Sequence, residues 1–447
     1  MSAVVGKRIL SGFLPLTIAA MAWVPAAAAQ EAAPAPLDGR ASDPAAMGWM
    51  EGSPPPEEKR VLARRSDHFI FPKTRWSFSH MREVLPTANI DIAERWELPR
   101  DLHAGFERIE VTPMGAQEAL SFEDALYASY TDALLVMHEG EIIYERYLGV
   151  TKPDTRHIAF SVTKSFIGTI AESMIAEGRL DQDALVESYL PELAESGFAG
   201  ASVRQVMDMT TDLDWSEVYS DPNSDIAAYS LALGIAGQEP PGYTGPRTIY
   251  DYLPTVKKGS EGHGTRFVYR TVNTDVLAWI VARVEGKPLN TILSERIWKP
   301  FGMECAADIL VDPIGTPFVG GGLNLCLRDL ARFGEAIRLG GRRGDGQILP
   351  EGLVEGMIRG AALIQDNPKA NYATLPGYSY RSQWWFMNDD HGAFSARGIH
   401  GQAIWIDPQS EIVIARFGSH PIAGNVNIDP ITLPTYRAIV DHVTRGD

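Results

Sequence analysis

The sequence predicts an α/β (α+β) fold, in which helices flank an antiparallel sheet and a mainly helical lobe is inserted in the middle of the chain. The first observation is a pair of β-rich runs at 133–137 and 141–147, joined by a three-residue loop that ends in Gly140. The second is a similar pair at 403–406 and 411–417. Because helical patterns fill the chain between the two pairs, both ends of the chain are expected to contribute to one sheet.

The helical patterns follow in chain order between and after these strands. After Ser161, apolar residues recur at helical spacing until Gly178 ends the run. Three further helices and a closing one are predicted at about 202–210, 274–284, 326–338 and 433–443. The expected lobes are an α/β lobe at about 66–160 and 340–447, and a helical lobe at about 161–339. A site is expected in the cleft between the lobes.

The composition fits a large globular protein of 447 residues. Hydrophobic residues make up 45% and charged residues 22%, which excludes a wholly disordered, fibrous or multi-span membrane protein. Asp and Glu outnumber Lys and Arg by 57 to 40, and the net charge of −17 would repel phosphate backbones and anionic lipid surfaces. Nucleic acid is therefore not an expected partner.

The N-terminal residues predict a secretory signal peptide. Lys7 and Arg8 precede an apolar run at 9–24, and a stretch of small residues follows. An uncleaved anchor helix is the alternative, but the run is short for a membrane span and contains a proline. We therefore expect a periplasmic or secreted protein without stable membrane insertion. The predicted segments are a signal peptide at 1–29, a mobile Pro/Ala-rich leader at 30–65 and a globular domain at 66–447.

A candidate nucleophile stands at the start of the first predicted helix. Ser161 and Lys164 form the only Ser-x-x-Lys in the chain, and residues three apart on a helix share one face. A lysine amine can activate a serine hydroxyl when burial lowers the pKa of the amine. The N–H groups at the helix start would favour the negative charge that develops on an attacked carbonyl oxygen. Taken alone, the four residues fit a helix-cap serine with a solvated lysine better than a catalytic pair.

A second motif bears on the role of Ser161 and Lys164: Tyr269-Arg270-Thr271 stands at the start of a later apolar helix. The order Ser-x-x-Lys and then Tyr-x-Ser/Thr/Asn resembles the serine hydrolases related to class C β-lactamases and penicillin-binding proteins, which implies a β-lactamase/transpeptidase-like fold. The resemblance extends to 6-aminohexanoate-dimer (nylon-oligomer) hydrolases and related carboxylesterases. It runs from about 75 to 443. Its further segments are Arg75-Trp76-Ser77-Phe78, 212–219, Gly320-Gly321-Gly322-Leu323, 328–332, Gln383-Trp384-Trp385 and 398–402.

The resemblance implies roles for the three residues of these motifs. Ser161 would be the nucleophile that an ester or amide acylates, and Lys164 and Tyr269 would form the base. A phenol becomes a useful base only when a cation stabilises its anion. A lysine beside the phenol therefore lowers the pKa of the phenol, while the pKa of the lysine amine rises. Either Lys164 or Tyr269 could take the serine proton.

The resemblance also implies contacts around the carbonyl and the substrate. The N–H groups of Ser161 and Ile399 would form the oxyanion hole. Tyr219 would line the substrate pocket, and Thr271 would hydrogen-bond Lys164 or the substrate. His400 fits a substrate contact and a capped turn histidine equally well.

Two departures from the family pattern bear on the substrate. The chain has no Lys-Thr-Gly, the segment that grips a β-lactam carboxylate in lactamases, and its counterpart is the neutral segment 398–402. Ser230 aligns with the acidic residue by which nylon-oligomer hydrolases hold a substrate amino group, although Asp225 could supply a similar charge one turn earlier. Both departures favour a general esterase.

The sequence thus predicts an exported serine hydrolase that cleaves ester or amide bonds of small substrates without a metal or cofactor. The alternatives are a D-amino-acid amidase, a D,D-peptidase, β-lactamase-type activity, or a non-catalytic binding protein of the penicillin-recognition fold. A pure binding protein has no need of Ser161, Lys164 and Tyr269 together, which disfavours the last alternative. The sequence gives no oligomeric state.

Two cysteines, Cys305 and Cys326, exclude a disulfide-dense scaffold and a four-cysteine zinc site. Export would permit a single bridge between them. Two buried thiols that act as small hydrophobes are the alternative, because Cys326 lies in a helical pattern.

Overall fold

The computed structural model describes, besides Met1, residues 35–236, 239–359, 362–363 and 372–445. The predicted signal peptide lies, apart from Met1, outside the described residues, as does the first part of the predicted leader. The body of the protein is one compact unit that begins at Pro36. No helix in the described part of the chain is both long and apolar enough to cross a membrane.

The body is built on an eight-stranded antiparallel sheet to which both ends of the chain contribute. Its strands in chain order are β1 (Thr131–His138), β2 (Glu141–Tyr147), β3 (Ala362–Leu363), β4 (Ser379–Arg381), β5 (Trp384–Phe386), β6 (Phe394–Gly398), β7 (Gln402–Asp407) and β8 (Ile412–Gly418). Their spatial order is β3-β4-β5-β6-β7-β8-β1-β2, so the hairpin β1–β2 pairs with the last strand of the chain. Val136 of β1 lies opposite Ile414 of β8. The predicted fold class is confirmed.

The named helices are α1 (Val162–Ala176), α2 (Val203–Met207), α3 (Asp225–Ala232), α4 (Val272–Glu285), α5 (Leu327–Arg338) and α6 (Asp429–Arg445). Further α-helical segments lie at Pro44–Met47, Thr74–Ser77, Met81–Val84, Phe122–Ala128, Val186–Tyr189, Ile249–Tyr252, Leu289–Leu293, Lys299–Phe301 and Leu353–Arg359. The predicted helices at 202–210, 274–284, 326–338 and 433–443 correspond to α2, α4, α5 and α6. A serine capping box starts α2, and Gly286 in left-handed conformation ends α4.

Alternating side chains of the sheet fill two different cores, as the two-residue period of a strand requires. Leu135 on one face belongs to the core that contains Phe333 of α5. Leu134 on the other face belongs to the core that contains Tyr436 of α6. Helix α5, which we expected in the helical lobe, therefore packs on the sheet, and the predicted lobe boundary at 339 is wrong.

A second, four-stranded sheet supports the start of α1 and was not predicted. Its strands, in spatial order, are Thr87–Ile90, Ala307–Leu310, Leu323–Leu325 and His157–Ile158. Strands of two to four residues are too short to show a period in the sequence.

The described part of the predicted mobile leader packs on the body. Trp49 and Val61 form a small buried cluster with Trp76. Short helical segments and a capped turn at Asp43 order the chain around it. From about residue 36 the chain is therefore part of the compact unit, where a leader up to residue 65 was expected, because its apolar side chains pack against Trp76.

Cys305 and Cys326 are joined in a disulfide, with their Cα atoms 6.3 Å apart. Cys326 is the N-cap of α5, and Asp329 in the first turn of that helix accepts hydrogen bonds from the N–H groups of Glu304 and Cys305. The bridge therefore ties the start of a strand to the start of a helix that covers the sheet.

Replacing both cysteines by serine is expected to lower the free energy of unfolding by about 3 kcal/mol, the loop-closure value for a loop of roughly this size. Denaturant unfolding of the two proteins measures the difference, and mass spectrometry of the non-reduced protein checks the bridge itself. Alkylation of two free thiols after denaturation without reductant would contradict it.

Candidate active site

The predicted nucleophile and lysine lie at the start of α1. Ser161 immediately precedes the helix, and Lys164 Nζ lies 3.0 Å from Ser161 Oγ. Lys164 is 1% exposed, and this burial lowers the pKa of its amine to about 8 although the charges of Glu217 and Asp275 oppose the shift. With this pKa about one tenth of the amine is neutral at pH 7, and that neutral form can act as a base for Ser161.

The turn before Ser161 has an unusual backbone conformation. Phe160 has φ of +43°, which is rare for a residue with a side chain. Its ring packs edge-on against Phe78 at 4.9 Å, and the N–H of Ala159 donates to the carbonyl of Leu323 in the second sheet. These contacts fix the sharp entry into α1 and therefore the position of the Ser161 hydroxyl.

Tyr269 completes the predicted group of three. Its side chain faces Ser161, and Lys164 Nζ lies 5.3 Å from the centre of its ring. The ring stacks on Trp385 of β5 at 5.7 Å. Burial, followed by the charge of Glu217, raises the pKa of the phenol well above its usual value, so Tyr269 is protonated at neutral pH.

The end of β6 closes the site beside Ser161. A Cβ atom at Gly398 would lie 2.6 Å from the carbonyl oxygen of Ala159, so only glycine permits this approach. The next residue is Ile399, whose N–H is the predicted second donor of the oxyanion hole. The adjoining turn is held by Arg416, which is fully buried and donates to the carbonyls of Gly401 and Ser129.

His400 occupies this turn with φ of +62°. Its Nδ1 lies 2.6 Å from the carbonyl oxygen of His420, and its ring packs on Phe78 and Phe160. Burial lowers the pKa of His400 to about 4, so the ring is neutral near pH 7. These contacts favour the turn histidine over the substrate contact.

Glu217 faces the same site and was not predicted. Its carboxylate accepts hydrogen bonds from the Thr271 N–H at 2.7 Å, the Thr271 hydroxyl at 2.8 Å and the Tyr219 hydroxyl at 2.5 Å. The Thr271 hydroxyl therefore donates to Glu217, where we expected a bond to Lys164 or the substrate. Tyr219 is 43% exposed, so its ring is accessible while its hydroxyl is held at the site.

The two residues considered for binding an amino group have local partners. Asp225 accepts hydrogen bonds from the N–H and the hydroxyl of Ser216, at 2.8 and 2.7 Å. Ser230 donates to the carbonyl of Ile226 within α3. The carboxylate that faces Lys164 and Tyr269 belongs instead to Glu217, two residues before the predicted Tyr219.

A buried acid, Asp275, lies behind Lys164. Lys164 Nζ donates to the carbonyl of Gly320, and the N–H of Gly320 donates to Asp275 Oδ1 at 3.0 Å. A Cβ atom at Gly320 would lie 2.5 Å from Thr271 Cγ2, which explains why glycine stands there. Sequence reasoning missed Asp275, whose one signal is an acidic residue in the first turn of an apolar helix.

The described residues contain one group of side chains close enough to share a metal ion. It consists of Cys305, Cys326 and Asp329, and the two sulfurs are joined in the disulfide. The residues around Ser161 instead place a hydroxyl, a buried amine and a phenol within reach of one another. This arrangement can transfer an acyl group to the hydroxyl and move the protons that the transfer requires.

The fold and the site together define a class: the protein is a serine hydrolase of the β-lactamase/transpeptidase fold. The protein-family model described as Beta-lactamase matches residues 122–421, and the chain belongs to this family. It is 36% identical over 350 residues to the 6-aminohexanoate-dimer hydrolase of Paenarthrobacter ureafaciens, which covers 78% of this chain and 86% of that protein.

Solved structures agree on the fold. The structure described as "Putative 6-aminohexanoate-dimer hydrolase from Bacillus anthracis" superposes with a TM-score of 0.78 at 30% identity and covers 88% of this chain and 99% of its own. EstCE1, a hydrolase with promiscuous acyltransferase activity, superposes with a TM-score of 0.53 at 18% identity over 70% of this chain and 96% of its own. The second likeness concerns the fold alone.

Proposed function

We propose that the protein is an exported hydrolase that cleaves ester or amide bonds of small molecules through an acyl-enzyme on Ser161. The observation that carries the proposal is the buried amine of Lys164, 3.0 Å from the serine hydroxyl oxygen. An exposed lysine beside a helix-cap serine would be protonated and would not take a proton. Burial of Lys164 disfavours the charged amine, so the neutral amine that can take a proton becomes available.

In the acylation step, Ser161 Oγ attacks the substrate carbonyl carbon while its proton passes to neutral Lys164. The N–H groups of Ser161 and Ile399 stabilise the negative oxygen of the tetrahedral intermediate. Tyr269 gives its proton to the leaving oxygen or nitrogen as the carbonyl reforms, and Lys164 returns a proton to the phenolate. Water then attacks the acyl-enzyme by the same route and releases the acid.

Burial favours Lys164 over Tyr269 as the immediate base. It lowers the pKa of the amine to about 8 and raises that of the phenol well above its usual value. The lysine is thereby brought towards its neutral form, whereas the tyrosine is kept from forming its anion. In its neutral form the amine can therefore accept the serine proton, whereas the phenol keeps its proton and can donate it.

Export is the second part of the proposal. It rests on the signal-like N-terminus, and the disulfide between Cys305 and Cys326 supports it, because cytosolic thiols are normally kept reduced. Both observations support a periplasmic or secreted location.

The absence of Lys-Thr-Gly favours esters over β-lactams, because the neutral segment 398–402 offers no cation to a β-lactam carboxylate. A second candidate substrate class is the linear amide, which the similarity to 6-aminohexanoate-dimer hydrolases supports. Ser230 in place of an acid, with its hydroxyl bonded within α3, counts against strong activity on that dimer.

We expect kcat/KM to be highest for short-chain p-nitrophenyl esters, and low for nitrocefin and for 6-aminohexanoate dimer. Fluorophosphonate labelling first confirms a reactive serine, and the three substrates are then compared at one pH. A tenfold or greater advantage of nitrocefin over the best ester would overturn the predicted preference. Failure of the fluorophosphonate to label the protein would overturn the proposed function.

A further inference from the structure

The acid behind Lys164 has a defined set of partners. Asp275 lies in α4, six residues after Tyr269, and is 3% exposed. Its Oδ1 accepts the N–H groups of Val319 and Gly320 at 3.1 and 3.0 Å, and its Oδ2 accepts the hydroxyl of Tyr229 at 2.9 Å. Both oxygens are therefore held by donors, and the carboxylate has one fixed orientation.

These bonds reach the reacting group through Gly320. The same residue donates its N–H to Asp275 and accepts a hydrogen bond from Lys164 Nζ at its carbonyl. Its lack of a side chain lets Thr271, Phe318 and Asp275 close around it, so that the loop has little room to shift. The carbonyl that binds the amine is thus oriented by the carboxylate.

We propose that Asp275 is a positioning residue that fixes the Gly320 carbonyl on Lys164 and sets the pH at which Lys164 becomes a base. The inference rests on the proposed function, because it assumes that neutral Lys164 activates Ser161. Asp275 touches neither the serine nor the site that the substrate would occupy, and it acts through the amine.

The charge of Asp275 acts on the amine in a known direction. A carboxylate near Lys164 stabilises the ammonium form, so its charge raises the pKa of Lys164 and partly offsets burial. Burial raises the pKa of Asp275 to about 7, which leaves most of the acid ionised where Lys164 titrates. Removing that charge should let Lys164 lose its proton at lower pH.

Titratable groups on the neighbouring elements face both Lys164 and Asp275. Lys164 is faced by Glu217 and Tyr269, and Asp275 is faced by Lys164, Tyr229 and Tyr250. The negative charge of Asp312 raises the pKa of Tyr229. Glu217 remains in an Asp275 variant, so the change expected from Asp275 alone is a partial one.

The test is the pH dependence of fluorophosphonate labelling of the full-length protein. In this reaction the Ser161 Oγ–P bond forms, fluoride leaves, and the serine proton passes to the base. For Asp275→Asn we expect the midpoint of the plot of labelling rate against pH to lie at least about half a pH unit below that of the wild type. At pH values below the midpoint, the labelling rate, expressed as a fraction of each protein's own plateau rate, is then about threefold higher in the variant than in the wild type.

Asp312→Asn is the matched control, because Asp312 is also buried and accepts backbone N–H groups, those of Ile249, Ile314 and Thr316. Its midpoint should equal that of the wild type. A purely structural role of Asp275 would lower the plateau and leave the midpoint in place, which would overturn the proposal.

Tyr229→Phe keeps the proposal testable if Asp275→Asn does not fold. Loss of the Tyr229 hydroxyl removes a bond that stabilises the Asp275 anion, so a smaller shift of the midpoint in the same direction is expected. An unchanged midpoint in each folded variant of this pair overturns the role of Asp275. Absence of labelling in the wild type overturns the proposed function instead.

Discussion

Ser161→Ala is expected to abolish hydrolysis of the best ester, with kcat falling by at least about 10⁴-fold, because no other group can carry the acyl intermediate. The Ser161 hydroxyl is the atom on which Lys164 and Tyr269 converge. Steady-state turnover of the purified variant measures the loss, and mass spectrometry after a fluorophosphonate shows whether the label is gone.

Ser165→Ala is the matched control for this substitution. Ser165 lies one turn further along α1, is buried, and donates its hydroxyl to the carbonyl of Gln383. Its loss should cost about 1 kcal/mol of stability and leave labelling intact. Wild-type turnover in Ser161→Ala would show that the mechanism is wrong.

The large sheet was predictable from the sequence because its central strands are long and their loops are short. The β-rich run at 133–137 lies within β1, the run at 141–147 coincides with β2, and the loop glycine marks the turn. One sheet for both strand pairs was expected because the intervening chain was helical, and the structure adds that β1 pairs with β8. The short strands β3, β4 and β5 carried no such pattern, and they extend the sheet beyond what was predicted.

The candidate site was predicted where the residues fall in short motifs, and missed where they meet only in the fold. Ser161 and Lys164 are three residues apart, so helical geometry alone brings them together. Tyr269 required a family resemblance. Glu217 and Asp275 act on Lys164 across the fold, and spacing along the chain does not reveal such contacts.

The backbone around the nucleophile was also beyond prediction. Phe160 and His400 adopt left-handed conformations that their residue types do not suggest. Each is fixed by neighbours that are distant in sequence, such as Phe78 and the carbonyl of His420. The sequence therefore indicated the candidate serine, whereas the groups that orient it come from tertiary packing.

Lys164→Ala should lower kcat/KM for the best ester by several orders of magnitude, because Ser161 would lose the base that takes its proton. Lys164→Arg should be similarly inactive, since a guanidinium keeps the charge and does not give up its proton in a protein. In the wild type, kcat/KM should rise with pH through about 8, the pKa to which burial lowers the amine. A pH profile of the wild type and turnover of both variants measure these effects.

Lys257→Ala is the control for the Lys164 variants, because Lys257 is exposed on a short strand, and it should retain full activity.

Tyr269→Phe separates the role of the base from the role of the acid. It leaves Lys164 in place, so it should lower kcat/KM, which reports acylation, far more for amides, whose leaving nitrogen needs a proton, than for p-nitrophenyl esters, whose leaving phenolate does not. If Lys164→Ala is labelled by a fluorophosphonate as fast as the wild type while Tyr269→Phe is not, Tyr269 is the base, and the assignment of the two residues is reversed.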